Sequence, residues 1–190
     1  MIMSALSILI LVLPLPLAFI VHDVEEVVFI NGWMLRHRSG LVQRFPRMIP
    51  LVDRLGGLGT KGFAVAAAEE LLIILLATVY VLVQGPYARE IWAALFIAFS
   101  VHLLVHIVQA LVVRSYVPGL ATSILLLPYA FYGIYSIWLA MSWLQIILLG
   151  LGGIVLMLAN LRFAHWLGSL SEKCPFRRFH PCQSSAEGRL

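Results

Sequence analysis

The sequence predicts an all-α fold, a polytopic membrane bundle of about five transmembrane helices, and three observations carry that reading. The first is composition: 62% of the 190 residues are hydrophobic, 12% are charged, and the mean hydropathy is +0.98. A soluble domain runs near half apolar and a quarter charged. So little polar side chain cannot cover a water-facing surface, which excludes an ordinary soluble enzyme. The second is segmentation. Five stretches reach the roughly 20 apolar residues that a spanning helix needs: residues 4–35, 62–84, 91–113, 119–141 and 143–166. The third is physical. Hydrocarbon offers backbone groups no water, so apolar spans of this length must be helices.

The first stretch is too long for one perpendicular crossing and holds Pro14 and Pro16. Either Pro16 lies in the first turn of the true helix, where a missing N–H costs nothing, or one continuous helix kinks and tilts. No Lys or Arg precedes the apolar run, and the run continues past its acids, so it reads as a span and not as a cleaved signal peptide. Residues 36–61 carry Arg36, Arg38, Arg44, Arg47, Arg54 and Lys61 against one acid, Asp53. This segment reads as a basic loop on the membrane surface, with Phe45, Met48, Ile49, Leu51 and Leu55 dipping in. Its GGLG run lacks the GK[ST] ending of a phosphate-binding loop. Pro128 predicts a kink in the fourth span.

Positive charge marks the cytoplasmic side. The basic loop, Arg114 and the tail of residues 167–190 then lie inside, with the N-terminus outside, as in a bacterial inner membrane. The net charge of +4 implies membrane lipids as partners and no nucleic acid, since no basic groove with interleaved aromatics is present. The only two cysteines, Cys174 and Cys182, fall in a tail expected to be flexible. With His180 they offer three ligands at a spacing that fits no standard zinc finger.

The spans are not uniformly apolar. Of nine acids in the chain, five fall inside predicted spans: Asp23, Glu25, Glu26, Glu69 and Glu70. An acid at a helix centre costs about 2.5–3.5 kcal/mol, and five near mid-membrane cost roughly 10 kcal/mol or more. A whole fold is stable by only about 5–15 kcal/mol, so these acids require neutralisation. No Lys or Arg lies deep in any span. His102 and His106, four apart, share one helix face, as do His22, Glu25 and Glu26 at i, i+3 and i+4. At about 1.5 Å per residue, Glu25, Glu69, His106 and His102 lie roughly 15, 11, 12 and 18 Å from the cytoplasmic ends of their helices. Three helices thus bring polar groups to one level. Carboxylates and imidazoles from separate helices are the ligand inventory of a carboxylate-bridged metal site.

The run H-D-V-E-E fits H-x-x-E-E. It resembles the HXXEE-domain family, small bacterial multi-pass membrane proteins of unestablished activity. The resemblance rests on His22, Glu25 and Glu26, with support from Glu69–Glu70, from His102 and His106, and from the later SYVPGLATS. It spans about residues 15–165 and implies a membrane protein with a site, but no reaction.

The candidate ligands are therefore His22, Glu25, Glu26, Glu69, Glu70, His102 and His106, holding one or two divalent ions of iron, manganese or zinc, with Glu70 also a candidate general base. Asp23 lies off the His22–Glu26 face and reads as a supporting residue. Asn160 reads as a helix-packing hydrogen bond, and Tyr129, Tyr132 and Tyr135 as packing or interface residues. Trp138, Trp143 and Trp166 read as interface anchors, with Arg162 and His165 reaching for the inner interface. No GxSxG or HExxH is present, and the E-E-x-x-x-R of CAAX-type proteases lacks its Arg here. The expected function is a membrane metalloenzyme acting on a lipophilic small molecule. A transporter or channel for protons or divalent metal, and a structural or accessory subunit, are the alternatives. Pure structural glue is disfavoured because three histidines cannot neutralise five acids.

Overall fold

The structure, a computed structural model, describes residues 8–173. It is all-α, with no strand among the described residues. A short π-helical turn, Ile8–Val12, leads into α1 (Pro14–Arg44). A 3-10 turn at Pro46–Met48 follows, then α2 (Ile49–Gly56), α3 (Thr60–Leu82), α4 (Ala88–Val113), α5 (Leu120–Ala140) and α6 (Trp143–Lys173). Of these, α3, α4, α5 and α6 are long and apolar enough to cross a membrane. The first expected span, α1, is long enough at 31 residues but is not uniformly apolar. It carries Asp23, Glu25 and Glu26 in one half and Arg36, Arg38 and Arg44 in the other.

Pro14 opens α1 and Pro16 lies in its first turn, as the missing N–H of proline favours. The helix then runs on through Arg44, well into the expected basic loop. No proline stops it sooner, its Ser39-Gly40 pair notwithstanding, and Pro46 disfavours helical backbone at Phe45. At about 1.5 Å per residue, α1 is roughly 46 Å long, about 16 Å more than the hydrocarbon. The remainder of the loop is also more ordered than expected, because α2 forms with Pro50 in its first turn. α2 turns Val52 inward onto Trp33, Met34 and Val117, leaving Met48 and Leu51 exposed. At the other end of the chain, α6 continues past Trp166 to Lys173. Cys174, His180 and Cys182 lie outside the described residues.

α6 packs along α3 and α4, α5 lies on α4, and α1 lies on α3 and touches α5. Small residues set these spacings, as is usual between membrane helices. A Cβ at Gly168 would overlap the Gly62 carbonyl oxygen, and one at Gly153 the Ala94 carbonyl oxygen. The main core joins Leu15 and Phe19 of α1 to Trp92, Phe96 and Leu103 of α4 and Ala130 and Ile137 of α5. Tyr129 donates to the Leu11 carbonyl and packs on Phe96, so it is a packing residue. Tyr132, Tyr135, Trp138 and Trp143 face outward. Leu125, Phe131, Leu144 and Leu156 are each about two-thirds or more exposed, a pattern fit for lipid.

The connection between α4 and α5 folds back into the bundle. Arg114 takes a left-handed backbone (φ 57°) and ends α4, and residues 117–119 of the connection are buried. Arg44 of α1 donates to the Val113 carbonyl, and Trp33 donates to the Tyr116 carbonyl. The connection therefore descends along α1 from Arg44 toward Glu25, and α5 begins inside the bundle.

Candidate metal centre

α1 and α4 meet with their polar faces together. His22, Glu26, His102 and His106 each offer one ligand atom, and these atoms all lie within 4.8 Å of one another. His106 Nε2 stands 2.8 Å from Glu26 Oε1 and 3.2 Å from His102 Nε2. The His22 ring meets those of His102 and His106 edge-on, with centroids at 5.0 and 4.8 Å, and Phe99 closes its apolar side. His22 is fully buried and His106 nearly so, while Glu26 is 29% exposed and forms the accessible edge.

Hydrogen counting finds ring nitrogens of this arrangement without a partner of their own. A ring nitrogen carries at most one hydrogen, yet His106 Nε2 faces two partners at hydrogen-bonding distance. His22 Nε2 is buried with no hydrogen-bond partner at all. Buried polar atoms are rarely left so. Converging lone pairs without enough hydrogens between them are what a cation satisfies. The short edges, 2.8 and 3.2 Å, are close to the roughly 3.3 Å between ligand atoms about 2.0–2.1 Å from a tetrahedral zinc.

Adjacent in sequence to Glu26, Glu25 is turned away and otherwise engaged. Its Oε1 accepts from the Tyr116 hydroxyl (2.6 Å) and the Ala121 N–H (3.2 Å). Its Oε2 accepts from the Thr122 N–H (2.7 Å) and the Thr122 hydroxyl (2.6 Å). The carboxylate thus caps α5 from a neighbouring helix, satisfying N–H groups that the helix itself leaves open, at the positive end of the helix dipole. Four donors account for one of the five acids without any cation.

Glu69, also expected as a ligand, faces α6 and accepts from Asn160 Nδ2 at 3.3 Å, so Asn160 is the packing contact expected of it. Glu70 is partly buried beside Glu69 on α3; it feels the charge of Glu26 but brings no atom to the group. The two are adjacent on α3, about 100° apart around its axis, so they cannot both face the group. Asp23 is buried off the histidine face, within reach of the charges of Glu26 and Glu70. Among the described residues no Lys or Arg pairs with any of the five acids. His165 packs edge-on against Phe63 and brings no atom to the group.

Three participants were not singled out from sequence. Thr122 bridges Glu25 and His22, its hydroxyl lying 3.0 Å from His22 Nδ1. Gly119, at φ +85°, lies flat against two rings: a Cβ there would be 2.8 Å from His106 Nδ1 and 3.0 Å from His22 Cε1. Tyr116 reaches Glu25 from the α4–α5 connection, and burial together with its bond to Glu25 pushes its phenol above the ordinary value. The available signal was Pro118-Gly119 ahead of a helix start, which places bare N–H groups and a hydroxyl near an acid.

Comparison with known proteins agrees with the motif. No curated protein and no solved structure matches the chain. A family profile described as a protein of unknown function with HXXEE motif matches residues 13–133, well over half the length, including every member of the His22–Glu26–His102–His106 group and the Gly119–Thr122 start of α5. The chain belongs to the HXXEE family.

Proposed function

We propose that this chain is a membrane metalloenzyme holding one divalent cation on His22, Glu26, His102 and His106. The observation that carries this reading is the convergence of four ligand atoms within 4.8 Å, one of the residues being His22 with its buried Nε2 unpartnered. Three imidazoles and one carboxylate suit zinc, non-haem iron or manganese. One cation is favoured over two because Glu25 is engaged at α5 and Glu69 faces Asn160.

A cation here would polarise a substrate oxygen or activate water. Glu70, within charge range of Glu26, would take or give a proton. Residues near in sequence to the ligands on α1 and α4, among them Phe29, Val105 and Val108, are apolar and exposed. A molecule approaching Glu26 from that side comes through lipid, which favours a lipophilic small molecule as substrate. The positive-inside pattern supports a cytoplasmic basic segment at Arg36–Lys61 and a bacterial inner membrane.

Elemental analysis of the purified chain from metal-replete growth, beside His102→Ala, tests the reading. Near-stoichiometric metal in the wild type and little in the variant is expected. No metal in either overturns it. The proximity of Asp23 and Glu70 to Glu26 favours a second reading, in which the carboxylates relay protons or pass the metal on. Cation flux in proteoliposomes with freely exchanging metal would establish that reading instead.

A further inference from the structure

The Glu25–Thr122–His22 contact has a direction that hydrogen counting fixes. Glu25 already accepts from two backbone N–H groups, which can only donate, and as a carboxylate it can only accept. The Thr122 hydroxyl has one hydrogen and three possible acceptors in range: Glu25 Oε2 at 2.6 Å, His22 Nδ1 at 3.0 Å and the Gly119 carbonyl at 3.3 Å. The shortest, charge-assisted bond wins. Having donated to Glu25, Thr122 Oγ can only accept from His22 Nδ1 at 3.0 Å. Nδ1 therefore bears a hydrogen. A hydrogen on Nε2 as well, or instead, would be a buried donor with no acceptor.

We infer that Glu25, acting through the Thr122 hydroxyl, holds His22 in the tautomer with its hydrogen on Nδ1 and a bare lone pair on Nε2, the unpartnered nitrogen of a ring that packs against His102 and His106. Glu25 and Thr122 are positioning residues. The two glutamates of H-x-x-E-E then do different work: Glu26 meets the centre directly, and Glu25 ties the start of α5 to the motif histidine. The use of this tautomer rests on the metal reading, because a ligating imidazole needs a free lone pair on one nitrogen and an acceptor for the hydrogen on the other. The tautomer itself does not depend on metal and can be read without it.

The experiment uses the full chain in detergent micelles, metal-free, with ¹⁵N-labelled histidine. The His22 ring signals are assigned by their loss in His22→Asn. A protonated Nδ1 with an unprotonated Nε2 is expected in the wild type and in Thr122→Ser, which keeps the hydroxyl. Thr122→Val should lose this preference, and its zinc affinity should fall by about 10–100-fold, the usual effect of removing such a support, while Thr122→Ser stays near wild type. A hydrogen on Nε2 in the wild type overturns the inference. So does a Thr122→Val protein that keeps the wild-type tautomer and zinc affinity. Should Thr122→Val fail to fold, the wild-type spectrum alone decides. A wild type that shows the expected tautomer but binds no zinc, iron or manganese upholds this relay and overturns the metal centre.

Discussion

Glu26 Oε1 meets His106 Nε2 at 2.8 Å across the α1–α4 contact, while the next residue back, Glu25, has both oxygens against the first turn of α5. A single step along the helix thus separates a group aimed at the centre from one that holds the fold. The two predict different losses. Glu26→Gln should abolish tight metal binding and leave the metal-free chain as stable as before, because its contact is with a centre that metal completes. Glu25→Ala should lower the stability of the metal-free chain by about 2 kcal/mol, since it leaves part-buried α5 donors without their acceptor, and such a group costs roughly 1–3 kcal/mol when fully buried. Unfolding of metal-free protein in mixed micelles, run beside zinc titration, separates the two. Equal destabilisation by both variants would contradict the division.

Gly119 is needed for two independent reasons. Its φ of +85° lies where a side chain is strained, and its open face is filled by the rings of His106 and His22. Gly119→Ala should cost about 1–3 kcal/mol from backbone strain alone. It should also displace at least one imidazole, because a Cβ 2.8 Å from His106 Nδ1 cannot be accommodated without movement. Metal affinity should therefore fall together with stability. A stable variant with unchanged affinity would show that the connection is not packed on the histidines.

Tyr116 supplies a pH signature. Burial and the hydrogen bond to Glu25 raise its phenol above the ordinary value of about 10. The folded chain then holds this proton more tightly than the unfolded chain does. The associated stability is complete below about pH 10 and is lost as pH rises through the folded value. In an ultraviolet titration, the difference between wild type and Tyr116→Phe should show one tyrosine ionising later than ordinary tyrosines. Tyr116→Phe should also cost about 1.5 kcal/mol, the low end for a bond to a charged group, because Tyr116 is 41% exposed. A step at the ordinary position would mean that Tyr116 does not hold Glu25 in solution.

Helices and their contents were legible in the sequence because they follow from local quantities: apolar run length for α3 to α6, and helical spacing for His102 with His106 and for His22 with Glu26. Depth counting brought α1 and α4 together correctly. It also implied that Glu69 would join them, since depth says nothing about rotation about the helix axis. Rotation is set by packing, here by contacts such as Gly62 with Gly168, which turn Glu69 toward Asn160 on α6. Glu25 was read as a ligand because it shares a helical face with His22. What occupies it is the start of α5, almost a hundred residues away, and such a capping partner leaves no periodic trace. The basic segment reads as a loop on its charges and its Ser39-Gly40 pair, although no proline interrupts it before Pro46 and Pro50 sits where a first helical turn accepts it.

The close approach of α4 and α6 gives a test of the bundle that is separate from the site. Gly153 faces the Ala94 carbonyl oxygen so closely that a Cβ would overlap it, while a Cβ on Gly152, the residue before it, meets nothing within 4 Å. Backbones approach this closely between membrane helices only where a small residue permits it. Gly153→Ala must push α6 away from α4 and should cost about 1–3 kcal/mol, as overpacking usually does. Gly152→Ala adds the same methyl group to the same turn without a clash. It should be neutral or stabilising by up to about 1 kcal/mol, because glycine is the poorer helix former. α6 contributes none of the four ligand atoms, so zinc affinity should be unchanged in both. Unfolding midpoints for the pair, measured in mixed micelles, check the packing, and equal midpoints would mean that α6 does not lie on α4 along this face.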